Sequence, residues 1–397
     1  MISTTLDARR EAGQQRAARR RHPSSRAVQR AELAPPPAAF YALAMTVAAL
    51  VLLGLVMVLS ASSITSFHAD QSPWRYFSKQ LMWAGLGVIA LTITYKVPYL
   101  TWRRIAKPLL FVGVLAMLAP FVPGLGRSVG GARAWISVGG QTIQPSEFLK
   151  LALLVYCADL LATRRGRLDD LRATFKPCMY ALLLAAGLTV LQGDLGSAVV
   201  ITMIVLVVMF IGGVPFTPLF ASGVAMAAGG AAFVSSSAYR RARWTAFLDI
   251  KGNRSHESYQ VWQAMISIAN GGPTGVGVGA GTGKWGYVPL AHSDFIFAIV
   301  AEELGLVGAV AVIGGFALIT FFGIQVALAA ADRFGMMLAG GIATWFSVQA
   351  IINIGGVTGV MPVTGLTLPF ISFGGSSLMA SMAAAGLLLN VARHARS

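Results

Sequence analysis

Charge is scarce in this sequence. Only 12% of its 397 residues are Asp, Glu, Lys or Arg, whereas a soluble globular chain carries about 25%, and that shortage excludes water as the solvent of most of the chain. Cysteine is nearly absent: Cys157 and Cys178 both fall inside apolar runs, so neither a disulfide framework nor a CxxC metal site is available. The five histidines (His22, His68, His256, His292 and His394) are scattered and form no HExxH or HxxxH pair, which leaves no histidine-based zinc centre. No polar stretch after Phe40 is large enough to fold separately, which argues against two or three soluble domains.

What the chain does have is apolar length. Hydrophobic residues make up 56% of it, and the mean hydropathy is +0.68. Allowing about 20 residues per span, helices are expected near 40–60, 81–95, 108–123, 146–163, 177–193, 196–214, 217–236, 295–325, 336–356 and 378–392. The fold class is therefore all-α: a polytopic membrane domain over 40–393 with about ten transmembrane helices and one long extracellular loop at 237–294. Residues 1–39 are Arg-rich, contain Pro35-Pro36-Pro37 and run too long to be the n-region of a cleavable signal, so they read as a disordered basic cytoplasmic tail. Residues 394–397 form a short second tail.

The formal net charge is +16. Nucleic acid is excluded as a partner, because the Lys and Arg sit in loops between apolar runs rather than on one polar face. Most of the 31 Lys and Arg fall in the N-terminal tail, between Lys96 and Lys107, and between Arg164 and Lys176. That positive-inside bias predicts that both termini are cytoplasmic.

Against this apolar background a few ionisable residues stand out, since a charge at a helix centre costs about 2.5–3.5 kcal/mol on insertion scales. Glu147 and Lys150, three residues apart in Gln144-Pro-Ser-Glu-Phe-Leu-Lys150, share one face at the outer end of the fourth span. They form either a capped helix start with a local ion pair, or a polar cavity in which Lys150 meets an acidic partner on another helix. Asp194, in Gln192-Gly-Asp-Leu-Gly196, lies at the outer hairpin between spans five and six, where it is a helix cap or a site carboxylate. Asp294 opens the eighth span where the long loop returns to the membrane, as a helix cap or a functional carboxylate, and Glu302-Glu303, functional or ion-paired, lie eight residues on, about 12 Å deeper at 1.5 Å rise per residue.

The glycine run Gly275, Gly277, Gly279, Gly281, Gly283 invites a phosphate-loop reading that fails on spacing, because a P-loop ending at Lys284 needs Gly at 278 and Ser or Thr at 285, where Val278 and Trp285 stand. Gly281-Thr-Gly-Lys-Trp-Gly286 matches GxGxxG without a surrounding βαβ unit. What remains is either a backbone able to approach something closely, such as a phosphate, or a flexible re-entrant loop with no ligand. Pro369-Phe-Ile-Ser-Phe-Gly-Gly-Ser-Ser377 leads into the tenth span and offers free N–H groups at a helix start, a place for an anion. Arg127, Arg133 and Trp135 lie in the outer loop before the fourth span, where a Trp is a belt anchor or a substrate contact.

Taken together and in order, Leu59-Ser-Ala-Ser62, Gly131-Ala-Arg-Ala-Trp135, Gln144 to Lys150, Gln192 to Gly196, Tyr259-Gln-Val-Trp-Gln263, the glycine run, Asp294-Phe-Ile-Phe-Ala298, Glu302-Glu-Leu-Gly305, Pro362-Val-Thr-Gly365 and Pro369 to Ser377 resemble the SEDS family (shape, elongation, division and sporulation) from about Phe40 to Arg393. Two positions depart from its pattern. Gly193 stands where the family usually has proline, and Ala134 stands where an arginine usually precedes the tryptophan, with Arg133 one position earlier.

The resemblance implies a peptidoglycan glycosyltransferase that polymerises lipid II, the lipid-pyrophosphate-linked disaccharide pentapeptide, at the outer face of the bacterial cytoplasmic membrane. It implies Asp294 as the essential carboxylate, acting as general base in an inverting attack. The candidate substrate-binding residues are Arg133, Trp135, Glu147, Lys150, Asp194, Lys284, Glu302, Ser376 and Ser377. No covalently bound cofactor is expected, and a divalent cation, Mg or Mn, is a candidate helper of the pyrophosphate. Motif wording and the basic tail look more like the family's division member than its elongation member, which implies a septal location, a class B penicillin-binding transpeptidase partner, other division proteins and membrane lipids. Two rival readings are a lipid II flippase, since buried charges and broken helices also mark transport pathways, and a non-enzymatic divisome scaffold.

Overall fold

The computed structural model describes residues 37–68, 72–129 and 131–395. The N-terminal tail expected at 1–39 lies almost wholly outside the described residues.

A bilayer offers no partner for backbone N–H and C=O groups, so an apolar chain of this kind can only cross it as helices. Each of the ten expected spans is one: α1 (Ala38–His68), α2 (Arg75–Lys96), α3 (Ala106–Ala116), α4 (Pro145–Thr163), α5 (Phe175–Leu191), α6 (Leu195–Ile211), α7 (Phe216–Ser235), then, after the long loop and its two helices, α10 (Ile296–Ala329), α11 (Arg333–Val357) and α12 (Gly375–Arg393). Six of them, α1, α2, α7, α10, α11 and α12, are long and apolar enough to cross a membrane by length and composition, and α3, α5 and α6 are shorter apolar helices. The protein is a multi-pass membrane protein.

Two regions carry more structure than the sequence suggested. The segment expected as one long loop contains α8 (Ala238–Leu248) and α9 (Tyr259–Gly271). The outer loop before α4 folds into an antiparallel sheet of β1 (Gly126–Val129), β2 (Ala132–Val138) and β3 (Gln141–Ile143), in the order β1-β2-β3. Its β2–β3 turn is Gly139-Gly140, with φ of +57° and +76°, values that suit a two-residue hairpin turn and that glycine adopts without steric cost. The all-α class therefore holds for the membrane domain and not for this loop.

Close packing rests on small residues, as it must where lipid tails match side chains in polarity. At Gly341 an added Cβ would run into Leu154 of α4 and Val208 of α6, and at Gly386 into Leu91 and Thr94 of α2. Asn390 of α12 donates to the carbonyls of Thr94, Tyr95 and Val97, which closes the C-terminal end of α2. At the centre, Trp345, Phe346 and Phe334 of α11 are fully buried. In contrast, Leu219 is the single buried residue of α7, which leaves that helix at the margin of the bundle.

Candidate active site at the loop-bearing end of the bundle

The start of α4 organises the site. Pro145 fits the first helical turn, where a missing N–H costs nothing, and Gln144 just before it reaches two neighbours. Its backbone N–H donates to Ser376 Oγ (3.1 Å) and its Nε2 to Asp194 Oδ2 (2.8 Å). Ser377 beside Ser376 shares a 2.8 Å hydrogen bond with Thr367. One residue, through its backbone N–H and its side-chain amide, thus joins the starts of α4, α6 and α12.

One turn further along α4, Lys150 is completely buried and its Nζ donates to Glu147 Oε1 and to Gln349 Oε1 of α11, both at 2.8 Å. The Trp345 ring lies 4.9 Å from the same ammonium. The acidic partner expected on another helix is replaced by the amide of Gln349, while the carboxylate comes from Lys150's own helix. A neutral acceptor is sufficient because Glu147 already balances the charge. Glu147 Oε2 is buried with no hydrogen-bond partner among the described residues.

Asp194 caps α6 through a 2.9 Å bond from Ser197 N–H. Burial pushes its pKa up, partly offset by the Ser197 hydrogen bonds and the Lys150 charge. Gly193 before it has φ +83° and lies 3.4 Å, at its would-be Cβ, from Ala132 Cα of β2, so the hairpin and the small sheet meet backbone to backbone.

Asp294 stands immediately ahead of α10. Its Oδ1 accepts from Ser293 Oγ (2.9 Å), and its backbone carbonyl accepts from Asn353 Nδ2 (2.8 Å). Its side chain keeps some surface, yet enough protein crowds it that burial pushes its pKa up to about 6. The negative charge of Asp194 pushes the same way, and Ser293 and Arg243 pull it down. A small recess beside Asp294 shares Val363 and Thr364 with a larger cleft of about 220 Å³. That cleft is lined by Gly193 and Gly196 below and by Arg240, Arg243, Trp244 and Glu257 of the long loop. Neighbouring His292 packs on Tyr76 and Phe373, and burial lowers its pKa to about 4, so it is neutral at physiological pH.

Not every candidate gathers here. Arg133 points outward from β2, where only its backbone is engaged, donating to the Gln192 carbonyl at 2.8 Å. Trp135 is half-buried opposite Arg127 in the same sheet. Lys284 and Glu302 lie at a separate place, where the glycine run wraps the acidic pair: Glu302 accepts from Thr282 and Gly283 N–H, and Glu303 accepts from Lys284 Nζ at 2.7 Å. What the glycines approach closely is therefore the protein's own α10. Gln144, Gln349 and Asn353 join the site without carrying a charge that would mark them in the sequence. Gln349 and Asn353 did leave a signal, two amides one turn apart inside an apolar span.

A multi-pass helical membrane protein with a polar cleft at one end of its bundle, lined by Arg240, Arg243 and Glu257 and adjoining the recess of Asp294, is the class that this fold and site define. Residues 41–397 match the profile of the FtsW/RodA/SpoVE cell cycle proteins, and the chain belongs to that family. A probable peptidoglycan glycosyltransferase FtsW from Trichlorobacter lovleyi is 38% identical over 349 residues, covering 88% of this chain and 92% of the relative. Stage V sporulation protein E from Bacillus subtilis is 36% identical over 347 residues, covering 87% and 95%. A solved structure described as "Structural coordination of polymerization and crosslinking by a peptidoglycan synthase complex" superposes with a TM-score of 0.74 at 31% identity, covering 89% of this chain and 97% of that one.

Proposed function

We propose that the chain is a peptidoglycan glycosyltransferase that polymerises lipid II into glycan strands at the outer face of the cytoplasmic membrane, with Asp294 as general base. The observation that carries this reading is the position of Asp294, in a small recess that shares Val363 and Thr364 with the cleft lined by Arg243, with a pKa of about 6. Such a carboxylate is mostly ionised at neutral pH yet basic enough to take a proton in the transition state. It accepts the proton of the acceptor sugar hydroxyl, whose oxygen forms the new bond to the anomeric carbon. The bond from that carbon to the lipid pyrophosphate breaks, and the electron pair leaves with the pyrophosphate. Attack from the opposite face inverts the centre and needs no covalent intermediate.

The departing pyrophosphate requires positive charge. Arg243 and Arg240 line the cleft, while Lys150 is committed to Glu147 and Gln349 and contributes field rather than contact. A divalent cation, Mg or Mn, fits as a substrate-borne ion. Mg²⁺ prefers phosphate oxygens and water; the lipid pyrophosphate supplies the former, and the Oδ2 of Asp294, which has no hydrogen-bond partner among the described residues, stays available as the proton acceptor. When bound, such an ion would neutralise charge on the leaving group.

The lipid tails need a path from the bilayer. An apolar groove of about 450 Å³ runs between α6 and α7, lined by Phe210, Phe216, Phe220 and Val224 among others. Further along the same face of the chain, Phe233 and Val234 of α7 enter the wall of the polar cleft. A polyprenyl chain lying there would bring its pyrophosphate to the cleft.

One observation favours a flippase instead: α10 is broken at Gly305, as in transporters. The loop backbone already fills that break, which favours the enzyme. By family, the reading extends to a cytoplasmic-membrane protein with both termini inside, located at the division septum. It would work with a class B penicillin-binding transpeptidase and other division proteins, among membrane lipids.

The test is polymerisation of purified lipid II by the detergent-solubilised protein. Asp294→Asn is expected to lower the rate by about 10²–10⁴ while leaving the protein folded; a variant that polymerises at the parent rate would overturn the reading.

A further inference from the structure

The segment that carries Asp294 is not continuous with the rest of α10. Gly305 adopts φ +67°, ψ −161° in the middle of that helix, so the regular ladder stops there and the turns Ile296–Glu303 form a separate piece with Asp294 at its head. The hydrogen bonds lost at the break are replaced from the long loop. Val276 and Gly277 N–H donate to the Glu302 and Glu303 carbonyls at 3.0 Å, and Leu306 N–H donates to the Gly272 carbonyl at 2.9 Å. The glycines make this possible: a Cβ at Gly271 would strike the Ala301 carbonyl, one at Gly275 the Glu303 carbonyl, and one at Gly305 the Gly275 nitrogen.

Side chains then lock the two pieces together. Glu302 accepts from Thr282 N–H (3.0 Å), Thr282 Oγ1 (2.9 Å) and Gly283 N–H (3.0 Å). Glu303 accepts from Lys284 Nζ (2.7 Å), Ser60 Oγ of α1 (2.7 Å) and Gly279 N–H (3.0 Å). All three Lys284 protons are used, on Glu303, the Gly279 carbonyl and Ser60, and its side chain is 2% exposed. No donor on Lys284 and no free face on Glu302 remains for a sugar or a phosphate.

We propose that Ser60, Lys284, Glu302 and Glu303 form a clamp that positions Asp294, acting through the broken end of α10 and not on substrate. Gly283 and Lys284 of the loop are tied to Glu302 and Glu303 of α10, so the intervening stretch 285–301 is a closed segment whose one free carboxylate is Asp294. Asn353, Ser372 and Phe373 hold its carbonyls laterally; the clamp holds the helical piece against α1 and the loop. A misplacement of about 1 Å can cost about 10²-fold in rate. The proposal rests on Asp294 being the base.

The experiment compares Lys284→Met, Glu303→Gln and the mild Ser60→Ala with the parent and with Asp294→Asn, measuring kcat and KM for lipid II across pH. Clamp variants are expected to lose about tenfold or more in kcat with KM changed by less than about twofold. The groups facing Asp294 are Asp194 from the start of α6, Arg243 from α8 and the hydroxyl of Ser293. As the loosened piece lets water reach Asp294, the acid limb of kcat/KM is expected to move down from about 6 towards an ordinary carboxylate value, which mere loss of folded protein would not do. The charge swap Lys284→Glu with Glu303→Lys is expected to recover about tenfold over either single reversal. Raised KM at parent kcat, or an acid limb that stays in place in Ser60→Ala, would overturn the clamp while Asp294→Asn remains inactive. Activity retained by Asp294→Asn would instead overturn the general-base reading itself.

Discussion

Gln349 accepts a 2.8 Å hydrogen bond from Lys150 across the contact of α4 with α11. The same amide oxygen accepts from Trp345 Nε1, and the amide nitrogen donates to the Thr367 carbonyl at 2.9 Å. The Lys150 charge is thus coupled to the segment that enters α12. Removing one partner of a buried pair leaves the other charge uncompensated, at about 3–5 kcal/mol. Lys150→Ala is therefore expected to lose both activity and thermal stability in detergent, because the buried Glu147 carboxyl loses its only hydrogen-bond partner among the described residues. Adding Glu147→Gln should return most of the stability and little of the activity. An unchanged melting temperature in Lys150→Ala would show that the Glu147–Lys150 pair does not hold the fold.

The raised pKa of Asp294 has consequences for both rate and stability. The base must be ionised, so kcat/KM is expected to rise with pH and level off above about 6. Folding has the opposite preference. The folded form holds this proton more tightly than the ordinary value of 3.8, so the favourable contribution of the protonated form is complete below 3.8 and is lost as pH rises through about 6. Asp294→Asn should accordingly melt higher than the parent at neutral pH, by at most about 3 kcal/mol before solvent screening at the open cleft. The difference should vanish near pH 4. A parent that outlasts the variant at neutral pH would mean that the carboxylate is stabilised by contacts other than those seen.

How much of this was legible beforehand follows from what a bilayer enforces. The ten helices could be read because an apolar run has no other way to satisfy its backbone. Asp194, Asp294 and Lys150 were visible because a charge in such a run needs a reason. Facing relationships were not. Nothing in one sequence says that Lys150 meets an amide of α11, or that Gln144 joins three helix starts, since these depend on how spans separated by dozens of residues turn towards each other. The glycine run announced a close approach without saying to what, and its partner proved to be the break at Gly305, hidden inside an otherwise uniform apolar stretch. The hairpin at Gly139-Gly140 leaves only a weak local signal, because the seven residues Ala132–Val138 beside a membrane span read equally as an interfacial loop.

Gly193 marks a point where this chain cannot follow its family's pattern. Its φ of +83° lies far outside the range near −65° to which a proline ring is confined. Its N–H also donates to the Val190 carbonyl at 2.9 Å, a bond that proline would abolish. Gly193→Pro is expected to reduce melting temperature and polymerisation together by displacing Asp194. Gly193→Ala should be milder, at about 1–2 kcal/mol for an L-residue in the left-handed region. A proline variant as stable as the parent would show that the α5–α6 hairpin can turn by a second backbone path.

Arg243 offers the complementary test of the cleft. It is exposed on α8, lines the cavity and lowers the Asp294 pKa through its charge. If it also meets the lipid pyrophosphate, Arg243→Gln should raise KM and make the remaining activity less sensitive to salt, because an exposed cation acts through a field screened within about 10 Å at 0.1 M ionic strength. It should also move the acid limb of kcat/KM to higher pH, since removing a cation makes the Asp294 proton harder to lose. Loosening the clamp at Lys284 moves the same limb to lower pH. Substitutions at Arg243 and at Lys284 are thus expected to shift the titration of one carboxylate in opposite directions. A limb that responds to neither would mean that the group limiting the rate at acid pH is not Asp294.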